Sequence, residues 1–315
     1  MQVLIVLVRY KIALEQSQTI RSLSDTFERE PELLKSVRLL IWDNSPVALE
    51  NPQLPFVFEY RHSEKNAGVS GAYNYAMALG ESIGCPWMLL LDQDTIVPDG
   101  FIARMLKYSR DLQEDERIAT VVPFIWSHNV IVSPRRLGRF STVHDIPRTF
   151  HGVCDWNAYG INSATLMRIS ALKEIGGYSE QFWLDLSDIY VFYMFHRAKK
   201  LMYVAGDLEL RHSIGSMDYN TSMSPARYQN FLAAENAYMQ LYRSRLENAY
   251  QTFRLLIRSW RQYKRYTDKE FSRITLRSFW QRLFCSRSSR MQKWRAELHS
   301  RDIPSISHAA TKKPG

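Results

Sequence analysis

Trp87-Met88-Leu89-Leu90-Leu91-Asp92-Gln93-Asp94-Thr95 is the stretch on which the reading of this chain turns. Apolar residues without alternation fit a strand buried on both faces, as in a parallel sheet. Paired carboxylates follow where that strand ends. If the backbone stays extended there, Asp92 and Asp94 face one side. Hard oxygen ligands at one point suit Mg2+ or Mn2+, which proteins hold through one or two carboxylates together with substrate phosphates. An ordinary polar turn shows the same spacing. The buried strand in front of it makes metal binding an equal contender.

Outward from this stretch, residues 3–8, 37–42, 56–60 and 118–125 read as further strands, and residues 13–27, 70–79 and 98–112 as helices. Strands alternating with helices predict βαβ units and a mostly parallel sheet, with ligands beyond the carboxyl ends of the strands. Residues 126–150, with Pro134, Gly138 and Pro147, read as an irregular, mobile loop over a site. Order resumes over 158–212, with a helix near 170–175 and a strand near 201–205. From Pro225 the pattern is helical, and after Pro304 a disordered tail is expected.

The chain has 315 residues, 45% hydrophobic and 23% charged, enough for a full core. The longest strand-like apolar run, residues 3–8, is too short for a membrane span or a signal peptide, so a cytoplasmic location is expected. Cys85, Cys154 and Cys285 are scattered and read as reduced thiols. The net charge of +9 is uneven, because residues 241–300 alone hold 15 Lys/Arg against 4 Asp/Glu. A mildly acidic body thus carries a basic arm, which calls for an anionic partner.

Other segments offer chemistry, each beside a plainer reading. Asp43-Asn44-Ser45 closes a strand, and the carboxylate can accept from a base N–H or a ribose hydroxyl, or simply form an Asx turn. Asn66-Ala-Gly68-Val-Ser-Gly71-Ala-Tyr-Asn74 precedes a helix; glycine permits close approach and a helix N-terminus favours phosphate, yet small residues also serve packing. Asp185 and Asp188 lie in an aromatic stretch and share a face if it is helical, so either is a candidate general base or a surface acid at a helix start. His212 is a metal ligand or an ordinary polar residue.

In this order the segments resemble the inverting glycosyltransferases of the GT-A fold, particularly the bacterial rhamnosyltransferase-like branch. The matching pieces are the first apolar strand, Asp43-Asn-Ser, Asn66-x-Gly68 with Ala72 and Asn74, Asp92-Gln-Asp94-Thr95, Gly176-Gly177-Tyr178, Phe182 to Asp188, and His212-x-x-Gly215. The resemblance covers about residues 1–240. It implies an α/β GT-A fold over 1–240, followed by a basic amphipathic helical extension over 241–303 and a tail over 304–315. It places Asp43, Asn66, Gly68, Asn74 and Asp92 at a nucleotide-sugar donor, and Asp94, Asp92 and His212 at Mg2+ or Mn2+. Asp188, with Asp185 beside it, becomes the base. The implied reaction moves rhamnose from dTDP-rhamnose to a saccharide or lipid-linked acceptor in surface polysaccharide (O-antigen) synthesis.

The chain departs from the family at Lys11, where Asn often follows Tyr, at Ser163-Ala164, where Ser-Gly is common, and over 189–194, which is apolar and aromatic instead of carrying an acid and an Arg. A nucleotidyltransferase would want a Gly- and Lys-rich loop near the first strand, and residues 9–20 lack one. A nucleic-acid-binding role for the arm has no motif behind it, so no nucleic acid partner is expected. The arm sets Trp260, Trp280, Phe253 and Phe284 among Arg and Lys, which suits the anionic inner face of a cell membrane. A packed extension with a solvated basic face is the plainer alternative.

Overall fold

The computed structural model describes residues 2–127, 129–211 and 223–299. Its first half runs β1 (Val3–Arg9), α1 (Gln18–Arg29), β2 (Val37–Asp43), β3 (Glu59–His62), α2 (Gly68–Ser82), β4 (Trp87–Asp92), α3 (Phe101–Asp111) and β5 (Ile118–Ser127). Short strands follow: β6 (Val130–Ser133), β7 (Arg135–Leu137), β8 (Val143–Asp145), β9 (Gly152–Cys154), β10 (Ala158–Tyr159) and β11 (Leu166–Arg168). Then come α4 (Ile169–Glu174), α5 (Ser187–Arg197) and β12 (Leu201–Arg211). Four helices follow: α6 (Pro225–Tyr242), α7 (Arg245–Arg265), α8 (Glu270–Phe284) and α9 (Arg287–His299).

The main sheet has the order β3-β2-β1-β4-β11-β5-β12-β9, with β6 on β5. Neighbours among β3, β2, β1 and β4 are parallel, as are β5 and β12. β11 runs antiparallel between β4 and β5. Strand β1 is buried throughout. Its alternation splits the core in two: Leu4, Val6 and Val8 join one layer with α2 and α5, while Val3, Ile5 and Leu7 join the other with α1 and α3. Each such side chain contributes roughly 1.5–3 kcal/mol by leaving water. α1 forms because Ser17 caps it, accepting from Ile20 N at 3.3 Å, and because Ile20, Leu23 and Phe27 recur on its buried face.

Several expectations are corrected. The third strand begins at Glu59, not Phe56, because the Phe56 ring turns into the core against Phe27. Residues 126–150 are not an irregular loop: β6 pairs with β5, and β7, β8 and β10 make a second small sheet. β12 extends to Arg211. α6 runs across the 240/241 boundary suggested by charge, and Met291, Trp294 and Leu298 of α9 belong to the same core as Leu4. His212, Gly215 and the tail from Pro304 lie outside the described residues.

Candidate active site

Strand register lines up the carboxyl ends of the parallel strands. Arg9 sits beside Asp43, Asp43 beside His62, and Asp92 beside Val8. Asp43 is fully buried. Its Oδ1 accepts from Ser45 N at 2.9 Å, and its Oδ2 accepts from Tyr60 OH at 2.6 Å and from Arg9 Nη1. Burial pushes the Asp43 pKa up, but the hydrogen bonds from Ser45 and Tyr60 and the Arg9 charge outweigh it and hold the carboxyl below its usual range. Asp43 is therefore an ionised corner post, and Arg9 covers it.

Asn44 ties this corner to the next loop. Its Oδ1 accepts from Trp42 Nε1 at 2.9 Å and its Nδ2 donates to Gly68 O at 3.0 Å. Gly68 has φ +67°, and a Cβ there would lie 2.2 Å from the Trp183 carbonyl oxygen. The close approach expected of this glycine is thus made to the chain's own Trp183. Amides at the start of α2 are also in use, because Gly68 N donates to Asn66 Oδ1 at 3.1 Å and Ser70 N to Trp183 O at 3.1 Å. Asn74 clamps the backbone of Tyr178 from both sides, accepting from its N and donating to its O at 2.8 Å each. A Cβ at Gly177 would sit 2.6 Å from Asn74 Oδ1, which explains the glycine there. Gly68 and Asn74 therefore dock the 177–183 segment onto α2, and Asn66 fixes the turn that presents Gly68.

Beyond β4 the chain turns at Gln93 instead of staying extended. The pleat does not place the two carboxylates on one side, as a strand would. Asp92 is half-buried at the strand end and Asp94 is exposed on the turn. The turn is held by Ser17 Oγ donating to Gln93 O at 2.7 Å, and by Gln93 Oε1 accepting from Tyr10 N at 2.8 Å. Ser163 Oγ accepts from Asp92 N at 3.2 Å and lies 2.6 Å from Thr95 Oγ1. Ala164, next to it, has φ +62°, the conformation for which glycine is better suited.

The acidic segment approaches from the other side. Leu186 has φ +62° and ends the loop; α5 starts at Ser187. Asp185 therefore precedes the helix and does not share a helical face with Asp188. Arg227 Nη1 of α6 donates to Asp185 Oδ2 at 2.5 Å. Asp188 Oδ1 accepts from the amide of Ile189 at 2.7 Å, and among the described residues Asp188 forms no ion pair. Burial first, then the neighbouring carboxylates Asp185 and Asp92, push the Asp188 pKa up to about 6 against the help of that amide.

Asp92 and Asp188 also act together on Tyr73, whose phenol is pushed well up by burial and by both charges. Tyr73 is wholly buried, and its hydroxyl has no hydrogen-bond partner among the described residues. Tyr178, packed on Tyr73 at 5.0 Å between ring centroids, donates to Asn162 Oδ1 at 3.0 Å. Asn162 Nδ2 in turn donates to Ser187 Oγ at 3.0 Å. A polar chain thus links α2, the 162–163 loop and the start of α5.

The fold therefore brings Asp92, Asp185 and Asp188 to one place, with Asp94 on the adjoining turn. Asp43 lies along the same sheet edge under Arg9. Asp92 and Asp94 offer hard oxygens suited to Mg2+ or Mn2+ shared with phosphates. Among the described residues there is no cluster of three or more His, Cys, Asp or Glu able to hold a metal alone. The sequence reading missed Arg9, Tyr60, Tyr73, Asn162 and Ser187. Arg9 had a signal, a lone cation ending an apolar strand; buried Tyr73 looks like any helix aromatic.

No curated protein matches the chain. Solved structures similar to it include S. aureus TarS 1-349, at 14% identity, covering 96% of this chain and 88% of that one with a TM-score of 0.47. The same fragment in complex with UDP is similar at 11% identity, covering 84% and 72%, with a TM-score of 0.45. S. aureus TarS is similar at 14% identity, covering 97% of this chain and 50% of that one, with a TM-score of 0.48. Residues 35–176 match the profile described as Glycosyl transferase family 2, a span that holds the Asp43 corner, the start of α2, the Asp92-Gln93-Asp94 turn and the Ser163 loop. The matched segment is thus similar to family 2 glycosyltransferases over less than half of the chain, and it lies in a mostly parallel α/β sheet of the GT-A type that continues into C-terminal helices.

Proposed function

We propose that the protein is an inverting glycosyltransferase in which Asp188 is the general base. The observation that carries this reading is the approach of two carboxylates from opposite elements. Asp92 ends a parallel strand on the donor side, Asp188 opens α5 opposite it, and the charge of Asp92 helps to raise the proton affinity of Asp188. Asp188 removes the proton from an acceptor hydroxyl as its oxygen bonds to the anomeric carbon. The bond from that carbon to the diphosphate oxygen breaks, and the nucleoside diphosphate leaves with the electron pair. One displacement inverts the carbon, and no protein nucleophile takes part.

Asp94 and Asp92, with His212, are the residues that would hold Mg2+ or Mn2+; the cation would offset charge on the leaving diphosphate. Arg9, Ser45 and Tyr60, gathered by Asp43, form the polar corner facing the nucleoside. We assign dTDP-rhamnose as donor on the Asp92-Gln-Asp94-Thr95 form, and a saccharide or lipid-linked acceptor in surface polysaccharide synthesis. Release of nucleoside diphosphate across a panel of sugar nucleotides tests this. UDP- or GDP-sugars turning over far better would overturn the rhamnose assignment, and no turnover with any donor would overturn the reaction.

We also propose that the C-terminal helices rest on an anionic membrane surface. The inner face of α7 is largely polar, with Gln251, Ser259 and Gln262 buried beside Leu255, whereas Leu246, Phe253 and Trp260 are 74%, 59% and 63% exposed along the opposite face. Trp280, Leu283 and Phe284 of α8 are exposed as well. Arg261 and Lys264 flank this apolar surface, while Arg258 is taken up by a bidentate pair with Glu235 at 2.6 and 2.8 Å. Aromatic rings with flanking cations fit a lipid interface. No helix among the described residues is long and apolar enough to cross a membrane. Reversing the charge at Arg261 and Lys264 should weaken sedimentation with phosphatidylglycerol vesicles; unchanged sedimentation would count against the surface.

A further inference from the structure

The small sheet carries a polar row that ends at the candidate base. Strand register sets Asp145 of β8 opposite Arg135 of β7, and Arg135 opposite Tyr159 of β10. Residues directly opposite in an antiparallel pair project on the same face, so the three side chains stand in line. β10 packs on α5, where a Cβ at Gly160 would lie 3.2 Å from the Phe192 ring, one helical turn beyond Asp188. Burial first, then the Asp188 charge, push the Tyr159 phenol up, and the Arg135 charge opposes them, so both charges reach it. The side chains of Asp145 and Arg135 are 77% and 19% exposed, and Tyr159 and Asp188 are half-buried. The row thus runs from open solvent down to the base.

Its chemistry is that of a surface for hydroxyls. Arg135 Nη1 pairs with Asp145 Oδ1 at 2.7 Å and donates to Ile131 O at 2.8 Å. Arg135 Nη2 and the Tyr159 hydroxyl have no hydrogen-bond partner among the described residues and, unlike Arg135 Nε, are not sealed from water. A carboxylate, a guanidinium edge and a phenol offer acceptors and donors side by side, which vicinal hydroxyls match. The Asp145 charge offsets that of Arg135, so the pair as a whole is neutral. An ion pair this open to water contributes only about 0–1 kcal/mol, so hydroxyls can share its atoms at small cost. An anionic group would gain from Arg135 what it loses to Asp145, and would then meet Asp188.

We infer that the row Asp145–Arg135–Tyr159 is the acceptor track and that it takes an uncharged saccharide. Hydroxyls of the sugar lie along Asp145 and Arg135, and the hydroxyl beside Tyr159 is the one delivered to Asp188. The inference rests on the glycosyltransferase reading above and narrows its acceptor to a neutral sugar at the reacting end.

Saturation-transfer NMR on the full chain tests the track by binding alone, with no sugar nucleotide present. The probes are the methyl glycosides of glucose, galactose, mannose, N-acetylglucosamine and rhamnose, with methyl glucuronide as the anion. Saturable binding of at least one neutral glycoside is expected, and weaker binding of the glucuronide. Tyr159→Phe keeps the ring and should weaken the neutral glycoside by about threefold to tenfold. Asp145→Asn leaves the Arg135 charge without its counter-charge, so it should weaken the neutral glycoside, strengthen the glucuronide and shift their ratio by about tenfold or more. A merely structural role for Asp145 would not move that ratio. Binding of no neutral glycoside, a glucuronide that binds the wild type as well as they do, a Tyr159→Phe variant with wild-type affinity, or an unchanged ratio in Asp145→Asn would each overturn the track. The glycosyltransferase reading fails on a different observation, the absence of nucleoside diphosphate release from every sugar nucleotide, on which glycoside binding does not depend.

Discussion

Arg227 of α6 grips Asp185 at 2.5 Å, and this ion pair sets two carboxylates apart that stand three residues apart in the chain. Asp185 is tied to a C-terminal helix. Asp188, at the opening of α5, has an amide and, among the described residues, no ion-pair partner, and burial raises its proton affinity. A base needs an ionised form that still wants a proton, and of these two carboxylates Asp188 is the one held that way.

Asp188→Asn is therefore expected to lower turnover by ~10²-fold or more while leaving donor affinity near normal. Asp185→Asn should cost turnover about tenfold at most, through a looser loop. Steady-state release of nucleoside diphosphate, paired with calorimetric donor binding, separates the two. A dead Asp185→Asn beside an active Asp188→Asn would reassign the base.

The pH dependence has a definite sign. With a pKa of about 6, Asp188 is protonated and idle on the acid side, so kcat/KM should rise through pH 6 to a plateau. Stability should move the other way. The folded state keeps a proton that the unfolded chain has already lost above its ordinary carboxyl value of 3.8, so folding weakens as pH rises from about 4 to about 6. Asp188→Asn removes this cost and should raise stability at pH 7.5 by on the order of 1–3 kcal/mol. Urea melts at pH 5 and pH 7.5 check it; a variant less stable at both would refute the assignment of burial as the cause.

Tyr73 keeps a hydroxyl in the core with no hydrogen-bond partner among the described residues. Tyr73→Phe should leave the fold as stable or stabilise it by about 1 kcal/mol, since the unmet desolvation disappears. If the hydroxyl meets substrate between Asp92 and Asp188, turnover should still fall. A variant both stable and fully active would remove Tyr73 from the site.

Excess EDTA should abolish turnover, and added Mg2+ or Mn2+ should restore it. Asp94→Ala should lose activity by orders of magnitude with the melting temperature little changed, because Asp94 is exposed on its turn. Full turnover in chelator would end the metal role.

Much of this was legible from residue patterns. Buried strands at 3–8, 37–42 and 87–91 announced themselves because parallel strands covered on both faces read as unbroken apolar runs. Their carboxyl ends therefore pointed to Asp43 and Asp92. Side-chain partners over long sequence distances were not legible. Nothing local says that Gly68 must clear the carbonyl of Trp183, or that Asn74 will clamp Tyr178. Phe56 misled because an aromatic inside an apolar run looks like strand, while its ring caps Phe27 and pairing begins three residues later. The 126–150 stretch misled for a related reason: proline and glycine mark turns, and very short strands fit between them.

The helices beyond residue 240 are not a detachable cassette. α6 crosses the charge boundary without a break, and α9 sends Met291, Trp294 and Leu298 into the layer that contains Leu4 and Val6. Cutting there would strip large side chains from the core of the α/β body, at roughly 2–5 kcal/mol for each one lost. Recombination at that point could not exchange one anchor for another; a graft would have to bring its own half of the core. The exposed face proposed for a membrane and the interior beneath the candidate site are thus inherited together.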